Sequence, residues 1–423
     1  MTFSTLNFDQ FSALRTQFFS PGPPIDTEEQ LKGREKPLAQ IKRNLDSLGR
    51  QIFIFGDRGV GKTSLARTAA FHAPGYKFDP VYVGCDRQGT FFQLAAAIID
   101  ELAGRMDQSS EKTNSTKMTL LAKVLGLEIS ETSNRVYPEF SSLSQFVQAL
   151  KALTQDAEKP PIVIIDELER FTNEHDKSLL ADLIKRVSDD KIRVSFIICG
   201  IASSLTELIG IHPSAERSFS PIELKPLHHN NLWEIIESAA SAFEVKIPSG
   251  ITQRIGLISD GFPYYTQLIG EQLFWVMYED EQDIYECNKA HFQLAIDRAV
   301  EEALFTLREK YDKATLKYKN TDEFKYVLWS WVAHPTLSRQ VADVYNRSYL
   351  PLADILLIDK VMTAHEFSSR SWYLTQESHG SILFSRGAGW YEFSEKMMRG
   401  YVRLKAKSEG FDIEEDIHVS DAK

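Results

Sequence analysis

Cysteine is scarce in this sequence: Cys85, Cys199 and Cys287 are the only three in 423 residues. Their spacing is not that of metal ligands, and an odd number cannot all pair within the chain. A disulfide-built scaffold is excluded, and a reducing, cytoplasmic setting is expected. Long apolar runs are also lacking. No stretch approaches the roughly 20 residues that cross a bilayer, and the start, Met1 to Asp9, has no basic region followed by an apolar one. No membrane partner is therefore expected. No repeat and no heptad run is present, which excludes solenoids and coiled coils. Excess positive charge is missing as well, since 48 Lys and Arg against 59 Asp and Glu leave a formal charge of -11. Affinity for nucleic acid begins with phosphate neutralisation, so a uniformly basic binding surface is excluded while a local basic face is not. What remains is ordinary globular material, 43% hydrophobic and 25% charged, long enough for two or three domains.

Breakers and periodicity divide the chain. Ser20-Pro21-Gly22-Pro23-Pro24 closes an aromatic-rich leader, taken as residues 1–27, after which folding units are expected to begin. Leu31 to Leu48 has helical spacing, Gln51 to Phe55 reads as a buried strand, and Ser64 to His72 as a helix. Pro80 to Gly84, Pro161 to Asp166, Arg193 to Cys199 and Pro221 to Leu224 read as further strands separated by helical or loop material, the pattern of a parallel sheet covered on both faces, over residues 28–227. The polar stretch within 107–136 reads as an insertion on the rim. Residues 228–310 are helical throughout. Residues 320–408 carry helices, then Ser381 to Arg386, a glycine turn and Trp390 to Phe393, followed by a last helix, the order of a winged helix-turn-helix. Residues 409–423 form an acidic tail, read as solvating.

Two motifs carry chemistry. Gly56-Asp57-Arg58-Gly59-Val60-Gly61-Lys62-Thr63 follows a predicted strand and precedes a predicted helix, the context in which a glycine-bent turn aims backbone amides at a triphosphate. Lys62 would reach the terminal phosphates, Thr63 would take a magnesium position, and Ser64 would complete the ATP-binding set. The rival reading is a surface turn with a stray lysine. Pro161 to Glu167 is an apolar strand ending in two carboxylates, and a buried carboxylate without a partner is costly. Magnesium is the natural partner: Asp166 would hold a metal-bound water, and Glu167 would act as general base. Solvated acids at a strand end are the bland alternative.

With these pieces placed, the stretch from about Glu28 to Lys310 resembles the AAA+ ATPases, particularly their origin-recognition-complex-like (STAND-related) branch. The resemblance implies an α/β fold, the three-layer parallel sheet of P-loop NTPases, followed by a helical lid and a C-terminal winged helix. It implies ATP and magnesium as cofactors, ATP hydrolysis and a homo-oligomer. Leu31-Lys32-Gly33-Arg34-Glu35 looks like the segment that lies near the adenine, a duty shared with Pro23 to Ile25. Ser203, after the strand ending at Cys199, takes the place of a residue that senses the terminal phosphate; its alternative is an N-cap for Leu205 to Ile209. Arg217 stands where such proteins carry an arginine finger directed at a neighbouring subunit's ATP, the alternative being a surface ion pair. Gly261-Phe262-Pro263-Tyr264-Tyr265 looks like the lid motif but has tyrosines where many members have a sensing arginine. Either the lid stacks on the nucleotide or it packs the hinge, and slow hydrolysis is expected.

In the last helix Met397, Tyr401 and Leu404 fall on one stripe and Lys396, Arg399, Arg403 and Lys407 on another, read as one packed side and one positive side. Together with Arg370 and Arg386, the residues Lys396, Arg399 and Arg403 are the candidate contacts to double-stranded DNA. Residues 321–408 hold eleven Lys and Arg against nine Asp and Glu, which permits duplex binding without demanding it. Two functions compete: an ATP-dependent oligomerising switch that binds DNA through the winged helix, and an ATP-gated signalling or defence regulator that docks a separate effector protein. A metabolic kinase fits less well, because no acceptor-pocket signature is present.

Overall fold

The structure is a computed structural model, and it describes residues 3–47, 49–75, 79–106, 139–155, 157–211, 213–280, 282–316 and 321–413. The insertion expected within 107–136 and most of the acidic tail lie outside the described residues. Two compact units are present. The sheet unit comprises Pro24–Asp57 and Gly61–Lys225; the helical unit comprises Met1–Pro23, Arg58–Val60 and Pro226–Lys423.

In chain order the elements of the first half are α1 (Phe8–Thr16), α2 (Glu35–Leu45), β1 (Gln51–Gly56), α3 (Lys62–Phe71), β2 (Val81–Gly84), α4 (Phe91–Met106), α5 (Leu143–Thr154), β3 (Ile162–Asp166), α6 (Glu174–Asp189), β4 (Ser195–Gly200), α7 (Ala202–Ile211) and β5 (Phe219–Leu224). All five strands expected from the sequence are present and form one parallel sheet of order β2-β3-β4-β1-β5. Strands β3 and β4 are buried at every position, which is why they read as unbroken apolar runs and not as alternating ones. On one face Phe53, Val163, Ile165, Phe196 and Ile198 pack under α4, α5 and α6, while α2 and α3 cover the other. All strands run the same way, so β1, β3 and β4 end at one edge, where ligands of open α/β sheets bind.

The helical unit continues with α8 (His229–Ala242), α9 (Ser249–Ser259), α10 (Pro263–Tyr278), α11 (Lys289–Glu302), α12 (Phe305–Thr315), α13 (Thr321–Val332), β6 (Ser338–Gln340), α14 (Val341–Val344), α15 (Leu350–Ile355), α16 (Ala364–Tyr373), β7 (Leu383–Gly387), β8 (Trp390–Phe393) and α17 (Met397–Ser408). Strands β6, β8 and β7 make a small antiparallel sheet with a bulge beside the glycine turn.

Two expectations are corrected here. The leader is no appendage: Phe3, Phe11 and Phe19 are buried, and Phe11 stacks on Tyr278 with ring centroids 4.0 Å apart while also meeting Phe243 and Trp275. The Pro-Gly cluster ends this segment without detaching it, because the apolar area of its aromatics is buried against α8 and α10. The start of the acidic tail is likewise docked. Asp412 pairs with Lys407 at 3.1 Å and Arg254 at 3.2 Å, and Phe411 and Ile413 are buried.

Candidate functional site

The loop after β1 needs backbone that L side chains avoid, and it has glycine there: φ is +80° at Gly59 and +93° at Gly61. Gly61 immediately precedes α3, so Lys62, Thr63 and Ser64 form its first turn, where free N–H groups and the helix dipole favour an anion. The Lys62 ammonium is turned back onto the loop, donating to the carbonyls of Gly56 at 3.1 Å and Asp57 at 3.0 Å. Ser64 Oγ accepts the N–H of Ile25 at 3.2 Å, and Thr68 Oγ1 donates to the Ile25 carbonyl, so the segment before α2 runs along the phosphate-loop helix. Arg34 is buried and donates to the carbonyl of Lys225 at 2.9 Å; burial brings its guanidinium down to about 10. Arg58 is exposed and Val60 is buried.

Asp166 ends β3 two strands away from β1, yet its carboxylate meets the loop helix directly. Thr63 Oγ1 donates to Asp166 Oδ2 at 2.7 Å, with Asp166 only 3% exposed. Residues 30–198 match the family model of the AAA ATPase domain. Two solved structures resemble the whole chain: the Walker-type ATPase PABY2304 of Pyrococcus abyssi, at 14% identity and a TM-score of 0.53, covering 90% of this chain and 98% of that one; and the Aeropyrum pernix ORC2 protein in ADPNP–ADP complexes, at 13% and 0.51, covering 96% and 98%. At such identities the likeness is one of fold. No curated protein matches the sequence.

Within the matched segment the Asp166 carboxylate has further donors. Oδ1 accepts the N–H of Glu167 at 2.9 Å, and Oδ2 accepts the Tyr82 hydroxyl at 2.9 Å. Burial, and the Asp166 charge beside it, push the Tyr82 hydroxyl up, so it keeps its proton and donates. Glu167 sits in the left-handed region at φ +57°, a conformation that costs a non-glycine residue about 1–3 kcal/mol and is concentrated at functional positions. Its carboxylate is half exposed and paired with Arg170 at 3.0 Å.

The donor set suits magnesium. Thr63 gives its proton to Asp166 and keeps oxygen lone pairs, and Asp166 supplies a hard anionic oxygen. Among the described residues no group of three or more His, Cys, Asp or Glu could hold a metal ion unaided. Cys85 and Cys199 lie close by but are buried; burial first, then Asp166, pushes the Cys85 thiol up to about 12 and raises Cys199. Neither is poised as a nucleophile.

Beyond the matched segment, Ser203 is exposed within the first turn of α7, directly after β4. Arg217 precedes β5, 71% exposed, and pairs with Asp189 at 3.0 Å. In the helical unit, Tyr265 is fully buried with its hydroxyl on the Met397 carbonyl at 2.7 Å, and Tyr264 accepts the N–H of Leu304 at 3.0 Å. Both tyrosines are therefore engaged in packing.

The positive stripe of α17 requires correction. Arg399 is 1% exposed and Arg403 5%, and both guanidinium groups converge on Asp260, at 2.6 and 2.8 Å. Arg399 also donates to the His334 carbonyl, and Arg403 to those of Leu257 and Val332. Leu257 lies in the last turn of α9 and Val332 ends α13, where the helix runs out of donors, and His334 follows α13 two residues on. The arginines cap two helices from inside the unit and are closed to a phosphate. Arg370 is tied to Glu323 at 2.7 Å. Arg386 stays exposed on the hairpin with Glu392 at 2.6 Å, and Lys396 is half-buried at the entry to α17.

Tyr82, Arg170 and Asp260 escaped the reading of the sequence. Tyr82 faces Asp166 only because β2 lies beside β3, and strand order is not written locally.

Proposed function

We propose that this protein is an ATP-dependent switch that binds magnesium nucleotide at the phosphate loop, hydrolyses it slowly and associates with further copies of itself in the bound state. The observation that carries the reading is the 2.7 Å contact joining Thr63 of the glycine-bent loop to Asp166 of the twin-acid strand. Amides of the loop and of the first turn of α3 receive phosphate oxygens, and Lys62 exchanges the Gly56 and Asp57 carbonyls for the terminal phosphate. Thr63 would hold magnesium and Asp166 a metal-bound water, and the metal when bound would supply charge neutralisation to the phosphates. Glu167 leaves Arg170 and takes a proton from the water that attacks the γ-phosphorus in line; the bond to the bridging oxygen breaks and ADP departs. Arg217, exposed and held by a surface ion pair to Asp189, serves as the finger toward a neighbour's nucleotide, while Ser203 contacts the terminal phosphate through water. Tyrosines in place of a lid arginine support slow turnover.

The test is ATP affinity of the Lys62→Ala protein. Losing a charge-assisted donor worth about 1.5–3 kcal/mol should weaken binding roughly 10- to 100-fold. Unchanged affinity would sink the assignment.

A second reading has an observation in its favour. We read β6–β8 with α13–α16 as a winged helix, and its exposed surface includes Phe384, Trp390, Trp372, Tyr373 and Leu357. With Arg399 and Arg403 buried, that surface suits a protein effector better than a duplex. Co-purification of a partner in the absence of DNA supports docking; salt-sensitive duplex binding supports the nucleic-acid switch.

A further inference from the structure

Strand β2 pairs in parallel with β3 so that Tyr82 lies beside Ile164 and Gly84 beside Asp166. Side chains two residues apart share a face, so Tyr82, Ile164 and Asp166 all look toward α3. Opposite Asp166 stands a residue with no side chain, and a Cβ on Gly84 would meet nothing within 4 Å, so the space flanking the carboxylate is open. Tyr82 reaches along that space to Asp166 Oδ2, at 2.9 Å. Its ring is held from the other side by Arg67, one turn beyond Thr63 on α3, whose guanidinium carbon lies 5.4 Å from the ring centre.

The two side-chain donors on Oδ2 are not equivalent. Thr63 belongs to the loop helix, and its hydroxyl answers to whatever the loop binds. Tyr82 is carried by strand β2 of the sheet, with Arg67 of α3 against its ring. An acid at a strand end with one donor on each oxygen can still turn about its side-chain bonds; a second donor on Oδ2, carried by a different element from Thr63, fixes the plane and the direction of the remaining lone pairs. Outer partners of this kind orient the groups that hold a metal.

We propose that Tyr82 is a positioning residue of the magnesium site, its hydroxyl holding the Asp166 carboxylate in the orientation that receives the metal-bound water. This rests on the nucleotide reading above and extends it to a residue outside both motifs. The proposal makes the hydroxyl, and not the ring, the important part, so Tyr82→Phe isolates it: packing and the Arg67 contact are kept and one oxygen is removed.

The experiment is equilibrium binding of a fluorescent ATP analogue to the full chain, first in EDTA and then across a magnesium titration, for wild type, Tyr82→Phe and Asp166→Asn. Expected for Tyr82→Phe is unchanged affinity in EDTA and a magnesium midpoint raised about tenfold, the lower end of the loss typical of an outer partner. A wild-type midpoint in Tyr82→Phe, alongside a shifted one in Asp166→Asn, overturns the role of Tyr82 and leaves the metal site standing. Equal weakening of Tyr82→Phe with and without magnesium also overturns it, since that is the mark of altered packing. No shift in Asp166→Asn removes the magnesium site itself, and the proposal with it.

Discussion

The phosphate loop and helix α17 each carry cations beside glycine in the sequence, with opposite structural outcomes. Lys62 rests on two carbonyls of its own loop, contacts that a phosphate can replace. Arg399 and Arg403 are sealed against Asp260 and the ends of two helices, contacts that nothing outside the unit can replace. Spacing alone does not separate a solvated cation from a capping one. What separates them is the company each keeps: the loop lysine sits in a glycine-bent turn between a strand and a helix, whereas the α17 stripe had only periodicity, and its counter-ion lies far off in the sequence.

The sharpest way to press this comparison is through the acids that partner each set. On the nucleotide side, Glu167→Gln removes the proposed base while leaving Lys62, Thr63 and Asp166 in place. Steady-state ATP hydrolysis should fall by roughly 10²- to 10⁴-fold, the usual contribution of a positioned base, with ATP affinity little changed. An unaltered rate would move the base elsewhere. On the structural side, Asp260→Ala leaves two guanidinium groups buried without their anion, which should cost about 3–5 kcal/mol, read as a lowered urea midpoint. A triple change of Asp260, Arg399 and Arg403 to leucine or methionine sharpens the point. A plain buried ion cluster often tolerates such replacement, but here the carbonyls of Leu257, Val332 and His334 would lose their donors, so recovery should be incomplete. Full recovery would mean that capping contributes nothing.

The aromatic leader extends the contrast to apolar residues. Phe11→Ala deletes a fully buried ring stacked on Tyr278 and should lower stability by about 3–5 kcal/mol, whereas a free leader would tolerate it without change. Thermal unfolding of the full chain decides between them.

The parts of the molecule that were legible in advance share a property: their information is local. Each of the five strands announced itself as a short apolar run, the loop by three glycines and a lysine, and the end of β3 by two acids after four buried residues. What stayed hidden depends on pairs distant in sequence. Tyr82 and Asp166 are 84 residues apart, and Arg403 and Asp260 are 143 apart. The leader was misjudged because Pro21 to Pro24 signals a break in secondary structure, which is a different matter from a break in packing. Glu167 lies between these cases: its place beside Asp166 at the end of the strand was plain in the sequence, while its left-handed backbone and its pairing with Arg170 were not.

Arg386 tests the comparison where the effect is smallest. It is the arginine of the candidate DNA set that remains exposed on the β7–β8 hairpin, paired at the surface with Glu392. Arg386→Ala should therefore change stability by less than about 0.5 kcal/mol, in contrast with the α17 arginines. If the hairpin meets a duplex, the same change should weaken binding for all sequences alike and reduce the salt slope by about 1, because a phosphate contact carries no base information. If the exposed aromatic surface docks a protein instead, the salt slope is absent from the start, and the substitution of interest becomes Trp390→Ala, measured by loss of the co-purified partner.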